Sequence, residues 1–217
     1  MKAETQDCAS QQQHPEEELR KIKWLLTKRI GTECDLISPY NPEYGHITAL
    51  NTCRTIMDAV PQETLRSLIQ DCIDLLDSSS AIYEKNGDYA FGLYVSGWCR
   101  LLDTASWKLC GTDDTRKALA CGKWLCHECC WHESSKPSLQ LHEPTDIKCV
   151  GGIHLYSVPI WAGDEVIGAM NVGYGAPPTD PDELAELADK FAVPVEVLQK
   201  EAAAYLPRPK FIVDVAK

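Results

Sequence analysis

The stretch GGIHLYSVPIWAGDEVIGAMNVGYG, residues 151–175, decides the fold predicted from this sequence. Two apolar runs flank the turn sequence AGDE at 162–165, a pattern typical of two antiparallel strands joined by a short turn. Successive side chains of a strand point to opposite faces of its sheet. His154 and Tyr156 should therefore share one face of the first strand, while Ser157 lies on the other. The sequence predicts a long hairpin here.

A second hairpin is predicted upstream, in AIYEKNGDYAFGLYV at residues 81–95. Asn86-Gly87 lies at its centre, and this dipeptide is the strongest short-range signal for a two-residue hairpin turn. Elsewhere, apolar residues recur at the spacing of amphipathic helices. The predicted helices span 15–31, 47–59, 61–77, 97–108, 114–121, about 119–142, 182–190 and 194–205.

The order of these elements predicts the fold class. Strand pairs separated by helices, ending in a long antiparallel hairpin, indicate the α+β class. We expect a PAS/GAF-like antiparallel sheet flanked by helices, with further helices at the N-terminus. A doubly wound parallel sheet fits less well, because both strand pairs have the pattern of hairpins. The predicted organisation is a disordered tail at 1–14, an N-terminal helical segment at 15–79, a core at 80–176 and C-terminal helices at 177–217.

Composition excludes several classes of function. The 217 residues include 21 basic and 32 acidic side chains, and the net charge of −11 repels nucleic-acid phosphates. No apolar run approaches the roughly 20 residues that span a membrane, and the polar first residues lack the apolar stretch of a signal peptide. We therefore expect a cytoplasmic protein that binds neither nucleic acid nor membrane. A reducing compartment disfavours disulfides, so the 11 cysteines point to metal or thiol chemistry.

LACGKWLCHECCWHESS, residues 119–135, concentrates these cysteines. Cys126 and Cys129 form a Cys-x-x-Cys pair, and Cys130 lies four residues after Cys126, on the same face of a helix. Zinc and iron–sulfur sites need thiolates that converge from several segments. The predicted metal ligands are Cys110, Cys126, Cys149, and either Cys129 or Cys130.

The chemistry of the cysteines stays open at this point. Zinc and iron–sulfur clusters both use such ligands, and Cys121, Cys126 and Cys129 with a distant Cys149 formally match the plant-type ferredoxin spacing. Haem attachment is disfavoured, because Cys130 stands where Cys-x-x-Cys-His needs a histidine. Two alternatives need no metal: the cysteines pack as small apolar residues, or a pair of neighbouring thiols forms a redox switch.

Three segments resemble the PocR-type sensory domain, a ligand-binding domain of bacterial signalling proteins related to PAS and GAF domains. They are SGWCRLLD (96–103), KLCGTDD (108–114) and KCVGGIHLYSVPIWAGDEVIGAMNVGYG (148–175). Cys99, Cys110, Cys149 and Gly152 match the family pattern. The chain departs from the family at Val150, where a histidine commonly follows the third cysteine. The resemblance covers roughly residues 60–217 and implies a PocR-type core at 80–176.

The resemblance implies a signal-sensing domain that binds a small ligand or a metal cofactor through a cysteine-rich pocket. It also implies a homodimer and a downstream kinase or cyclase output domain, absent from this chain or separate from it. We expect no enzyme, because the sequence contains no recognisable nucleophile–base pair, phosphate loop or paired catalytic carboxylates. The alternative is a metal or redox protein whose cysteine cluster is itself the function. The residues expected to line the ligand pocket are Trp98, Cys99, Trp131, His154, Tyr156 and Asn171.

Overall fold

The computed structural model describes residues 42–76, 78–94 and 96–217, and an antiparallel sheet of five strands organises them. The strands are β1 (Ser79–Glu84), β2 (Tyr89–Tyr94), β3 (Thr145–Lys148), β4 (His154–Ala162) and β5 (Glu165–Tyr174). Their order across the sheet is β2-β1-β5-β4-β3, and each neighbouring pair is antiparallel. The tail predicted at 1–14 and the helix predicted at 15–31 lie outside the described residues.

The hairpin of β4 and β5 follows the prediction. The chain turns at Gly163, which takes a positive φ of 61° that favours glycine. Side chains alternate along β4, so Ser157 is buried and His154 is exposed. β5 also pairs with β1, and a Cβ on Gly168 would collide with the Tyr83 carbonyl group. Glycine is therefore required there for the two strands to approach each other.

Helices flank the sheet. They are α1 (Thr55–Ala59), α2 (Gln62–Leu76), α3 (Gly97–Lys108), α4 (Thr115–Ala120), α5 (Leu125–His127), α6 (Lys136–Leu141), α7 (Pro181–Phe191), α8 (Val195–Ala204) and α9 (Lys210–Ala216), with a 3-10 helix at Ile47–Leu50 and a π-helix at Glu128–Ser135. The side chains of Ser96, Asp114 and Asp180 accept backbone hydrogen bonds and so cap α3, α4 and α7. None of the helices in the described part of the chain is long and apolar enough to cross a membrane.

Apolar packing covers both faces of the sheet. Ile69 of α2 and Ile82 of β1 are buried in one cluster. Tyr83, the next residue of β1, faces the opposite side and packs against Trp131 of the π-helix, with ring centroids 5.2 Å apart. A third cluster joins α3 to α7 and α8 around Trp98. The π-helix therefore lies on the face of the sheet opposite α2.

The π-helix interrupts the long helix that the sequence predicts for the cysteine-rich stretch. Small side chains bring it close to the sheet: Ser134 is fully buried, and its hydroxyl lies 2.6 Å from the Ser157 hydroxyl of β4. The Asn171 amide of β5 donates to the Ser135 hydroxyl at 3.0 Å and to the Cys130 carbonyl at 3.4 Å. These contacts satisfy polar groups that the packing would otherwise bury unpaired. π-helical turns are rare and often occur at functional sites.

The predicted α+β class is confirmed by this antiparallel sheet with flanking helices. The single helix predicted at 47–59 is wrong, because the chain turns between two shorter helices. Arg54 takes a left-handed φ of 55°, and its amide donates to the Asn51 side chain at 2.8 Å. This turn brings the Ile56 amide to the buried Glu84 carboxyl group at 2.9 Å. The sequence patterns do not predict β3, whose TDIK contains one apolar residue, or α9.

Candidate metal centre

Four cysteine thiols from three parts of the chain converge beside the π-helix. Cys99 lies in the first turn of α3, Cys126 in α5, Cys130 in the π-helix and Cys149 directly after β3. The Cys126 amide donates to the Ser106 hydroxyl of α3 at 3.4 Å, which ties α5 to α3. These four cysteines are termed the thiol centre.

The pKa values of the thiols reflect their proximity. Burial raises the pKa of Cys130 well above its usual range, and the thiols of Cys129, Cys149 and Cys99 raise it further. Burial likewise raises the pKa of Cys149 to about 12, with Cys99 adding to the rise. Burial also raises the pKa of Cys126, to which Cys130 and Cys149 contribute. Ionising these thiols therefore requires a nearby positive charge, which a metal ion supplies to the thiolates that coordinate it.

The thiol centre lies among packed apolar side chains. Cys99, Cys126 and Cys149 are partly buried and pack against the apolar cluster around Trp98. Cys130 is also partly buried and packs against the cluster that contains Tyr83 and Trp131. The thiol centre therefore lies where these two apolar clusters meet.

A tight loop presents Cys149 to the thiol centre. Its amide donates to the Ile153 carbonyl at 2.6 Å, and the Gly152 amide donates to the Cys149 carbonyl at 2.9 Å. Gly152 has a positive φ of 88°, a conformation that favours glycine. The Trp98 indole of α3 donates to the Gly151 carbonyl at 3.0 Å. The loop is therefore fixed against the same helix that carries Cys99.

Asp103 of α3 is a fully buried acid near the thiol centre. Its Oδ2 accepts a hydrogen bond from the Tyr44 hydroxyl at 2.6 Å, and its Oδ1 accepts one from the Trp124 indole at 3.0 Å. Burial raises the pKa of Asp103 to about 6, although both hydrogen bonds lower it. Its charge contributes to the raised pKa of Cys126, after burial. Asp103 thus holds the segment before α5 and places a titratable group close to the thiols.

The structure brings together three of the predicted metal ligands, Cys126, Cys130 and Cys149. Cys99, predicted from the sequence as a pocket residue, completes the set. Cys129 lies at the edge, fully buried, and its Sγ accepts a hydrogen bond from the Val150 amide at 3.3 Å. Consecutive residues of a helix point in different directions, so Cys129 and Cys130 cannot face the other thiols in the same way.

Cys110, the fifth predicted metal ligand, is in a different environment. Burial raises the pKa of Cys110 to about 12, and its hydrogen bond with the Cys121 thiol adds to the rise. Its Sγ also lies 3.8 Å from the carbonyl oxygens of Ser106 and Ala118. Helix α4 holds it there, because the chain from 110 to 121 folds back on itself around this short helix. The structure therefore pairs Cys110 with Cys121.

The residues predicted to line one ligand pocket lie in separate places. Cys99 belongs to the thiol centre and Trp98 precedes it in α3, whereas Trp131 and Asn171 join the π-helix to the sheet. His154 stacks on Tyr174 with ring centroids 5.0 Å apart, and the Lys217 ammonium lies 5.1 Å from the Tyr156 ring. The alternation of β4 places these last two residues on the face opposite the buried serine that meets the π-helix. The structure therefore places His154 and Tyr156 on the face of the sheet opposite the π-helix.

Comparisons with known proteins leave the family open. No protein-family model matches the chain, and neither a curated protein nor a solved structure matches it. The resemblance to PocR-type sensory domains stays a prediction from sequence motifs. The α+β class accommodates many unrelated activities, so the fold alone does not assign a function.

Proposed function

We propose that this protein is a cytoplasmic sensory domain whose receiver is an iron–sulfur cluster bound by the thiol centre. The observation that supports the proposal is the convergence of Cys99, Cys126, Cys130 and Cys149 from three parts of the chain, close enough for the thiols to shift one another's pKa values. Cysteine thiolates hold [2Fe–2S] and [4Fe–4S] clusters, commonly in sets of four. The redox state or the loss of such a cluster would be the signal.

The proximity of the thiols favours a bound metal over simple packing of the cysteines. A free cysteine in a core behaves as a small apolar side chain and fills space against its neighbours. Here, in addition to burial, Cys130 and Cys149 both raise the pKa of Cys126, and Cys99 raises the pKa values of Cys130 and Cys149. A cationic cluster core would offset the cost of several neighbouring buried thiolates.

The spacing of the thiols favours a cluster over a single zinc ion. A tetrahedral zinc site with Zn–S bonds of about 2.3 Å needs its sulfur atoms about 3.8 Å apart. Within 42–76, 78–94 and 96–217, only His127, Glu128 and His132 bring three ligand atoms to within 4.8 Å of one another. No three thiols of this part of the chain are that close, so they are too far apart for one ion. A polynuclear cluster suits the wider arrangement.

A route for the signal runs from Cys149 to the C-terminal helices. A Cβ on Gly152 would collide with Pro178 and would also touch Leu187 of α7, so the Cys149 loop packs directly against the start of that helix. Cys99, Cys126 and Cys149 also border the apolar cluster that contains the buried side chains of α7 and α8. A change of charge in this enclosed site would act on that packing. The PocR-like motifs support an output domain and a dimer as the readout.

Anaerobic purification followed by iron, sulfide and visible-absorption measurements tests this proposal. We expect a coloured protein with iron and acid-labile sulfide, and loss of both in Cys126→Ser and Cys149→Ser. Cys121→Ser is the matched control, because Cys121 is exposed and outside the thiol centre. Circular dichroism of each variant checks that the fold is retained.

The result that would overturn the proposal is equally specific. Colourless protein containing one zinc per chain would replace the cluster by a structural ion. Protein without any metal after anaerobic purification and reconstitution with iron and sulfide would remove the metal centre altogether. Equal loss of iron in Cys121→Ser would mean that the thiol centre has no special role.

The Cys110–Cys121 pair supports a thiol switch as a second candidate function. Partial burial opposes ionisation of Cys121, but the Cys110 thiol and the Lys123 amide donate hydrogen bonds to it and lower its pKa. A Cys121 thiolate would attack a peroxide, giving a sulfenic acid and water or an alcohol. Cys110 would then displace water to form the disulfide. Peptide mapping after peroxide treatment should find this crosslink, and an uncrosslinked Cys121 sulfinate would exclude it.

A further inference from the structure

We propose that His127, Glu128 and His132 form a second metal site, for a divalent transition-metal ion, separate from the thiol centre. One ring nitrogen of each histidine and one carboxylate oxygen lie within 4.8 Å of one another. No other trio of histidine, cysteine or acidic residues in the described ranges is as close. Two imidazoles and a carboxylate are ligands that zinc, cobalt, nickel and iron(II) accept.

The π-helix creates this arrangement. His127 and His132 are five residues apart, and five residues of an α-helix turn the chain by about 500°, which leaves the side chains about 140° apart. A π-helix bonds residue i to residue i+5 and therefore stacks such a pair on one face. The π-helix begins directly after His127, and the two imidazole centroids lie 6.1 Å apart. The irregular helix thus brings together ligands that a regular helix would separate.

The buried histidine is already oriented as metal ligands usually are. His127 is 6% exposed, and its Nδ1 lies 3.0 Å from the Tyr89 hydroxyl. The Tyr83 hydroxyl donates to the same Tyr89 oxygen at 3.1 Å. A ligating histidine normally uses its other ring nitrogen in a hydrogen bond that fixes the ring. Here Nδ1 is used in this way, and Nε2 is the nitrogen left for a metal.

The other two ligands lie one turn apart at the protein surface. His132 Nε2 is 3.5 Å from Glu128 Oε2, and the side chains are 46% and 26% exposed. A surface contact of this kind contributes at most about 1 kcal/mol by itself. It does not explain why a ring nitrogen of the buried His127 lies within 4.8 Å of both other ligand atoms. A metal ion bound by all three groups does.

A cavity gives the metal access to ligands from outside. It has a volume of about 210 Å³ and is lined by His127, His132, Trp131, Tyr89, Asp88 and Asn51, among others. Catalytic and ligand-binding metal sites commonly keep three protein ligands and leave the remaining positions open. The open positions would take a small molecule with an oxygen or nitrogen donor. The aromatic rings would form an apolar wall of that pocket. Asp88 and Asn51 would form a polar wall.

Cobalt(II) binding to the anaerobically purified protein tests the site. We expect one cobalt per chain in equilibrium dialysis, with a visible spectrum of nitrogen and oxygen coordination and without sulfur-to-cobalt charge transfer. His132→Gln and Glu128→Gln should bind cobalt at least tenfold more weakly, with unchanged iron and sulfide. Tyr89→Phe should weaken binding by about 10–100-fold, the usual effect of removing the group that orients a ligand.

His142→Asn is the matched control, because His142 is exposed and outside the site. Asparagine tolerates the left-handed φ of 60° found there. Equal weakening in this control, or a cobalt spectrum dominated by thiolate charge transfer, would overturn the proposal. So would wild-type protein that binds no cobalt. Iron and sulfide content test the thiol centre, whereas cobalt binding tests the site of His127, Glu128 and His132. Failure of one proposal can therefore be distinguished from failure of the other.

Discussion

Glu84 and Asp103 are both fully buried acids, but their surroundings differ. The Glu84 carboxyl group accepts hydrogen bonds from the Ile56 and Met57 amides and from the Asn51 side chain. It therefore closes the N-terminus of α1, where backbone amides lack partners within the helix. The Asp103 carboxyl group accepts from the side chains of Tyr44 and Trp124, and burial raises its pKa to about 6.

The difference separates an acid with a structural role from an acid whose protonation can change. The backbone amides at a helix end are fixed in number and direction, so they hold the Glu84 carboxyl group in one position. The Asp103 region is built from neutral side-chain donors, and its acid gains or loses a proton close to neutral pH. That acid lies beside the thiols proposed to bind a cluster, whereas Glu84 lies beside an apolar cluster of α1, α2 and the sheet.

The largest effect should come from Glu84→Ala. The substitution leaves the Ile56 and Met57 amides without their acceptor in a buried site, whereas the Asn51 side chain still donates to the Tyr89 carbonyl. At 1–3 kcal/mol for each of the two unsatisfied groups, we expect a loss of about 4 kcal/mol in the free energy of unfolding. Urea denaturation measures it. Glu63→Ala, at an exposed position of α2, should change stability by less than about 0.5 kcal/mol. A small effect of Glu84→Ala would contradict its structural role.

The next effect is the pH dependence that Asp103 gives to stability. Its folded pKa of about 6 lies above the ordinary value of 3.8, so the folded protein binds this proton more tightly than the unfolded chain. The free energy of unfolding should therefore fall as the pH rises from about 4 to about 6, by roughly 3 kcal/mol at 1.36 kcal/mol per pKa unit. Urea unfolding across this range should show the fall in wild type. If Asp103→Asn showed the same slope, the pH dependence of stability would arise from another group.

A smaller effect is expected for Trp98→Phe, which keeps an aromatic ring but removes the donor to the Gly151 carbonyl. The free energy of unfolding should fall by about 1 kcal/mol. The looser Cys149 loop should also let the visible absorption bleach faster in air. Trp161→Phe, at a site 49% exposed, is the control. Identical bleaching rates in the two variants would mean that the loop does not depend on this hydrogen bond.

The smallest effect is expected for His154→Gln. This side chain lies 50% exposed beside Asp146 and Tyr174, away from the thiol centre. Stability should change by less than about 0.5 kcal/mol, and iron content should stay the same. Metal analysis and urea denaturation check both. A loss of iron would instead support the ligand pocket predicted from the sequence, which includes His154.

Periodicity predicted the elements with long, regular patterns. The hairpin around Gly163, helix α3 and the turn at Asn86-Gly87 all follow from apolar alternation, caps and turn residues within the local sequence. Strand β3 could not be predicted in this way, because an edge strand of four residues buries too little apolar surface to leave a pattern. The same limit applies to the turn at Arg54, which depends on Asn51 and on a strand far along the chain.

The candidate site was only partly predictable for a related reason. Cys126 and Cys130 stand out through the density of cysteines, and Cys149 through its match to the PocR-type pattern. The position of Cys110 beside Cys121 depends on how α4 folds, and no spacing rule contains that information. In the sequence, Asp103 looks like an ordinary polar residue of a helix, because its burial depends on tertiary contacts with Tyr44 and Trp124. An α-helix would place His127 and His132 on different faces. Helical periodicity therefore does not predict the contact between them that the π-helix creates.

The π-helix also makes this part of the chain sensitive to its length. A π turn holds one residue more than an α turn, since its hydrogen bonds reach the fifth residue instead of the fourth. Deleting one residue between His127 and His132 would let an α-helix form and would leave the two histidines four residues apart, a spacing that an α-helix also places on one face. A single-codon deletion in such a gene would then remove the π-helix in one step and keep the histidine pair, while Cys126 remained in place on the side of the thiols.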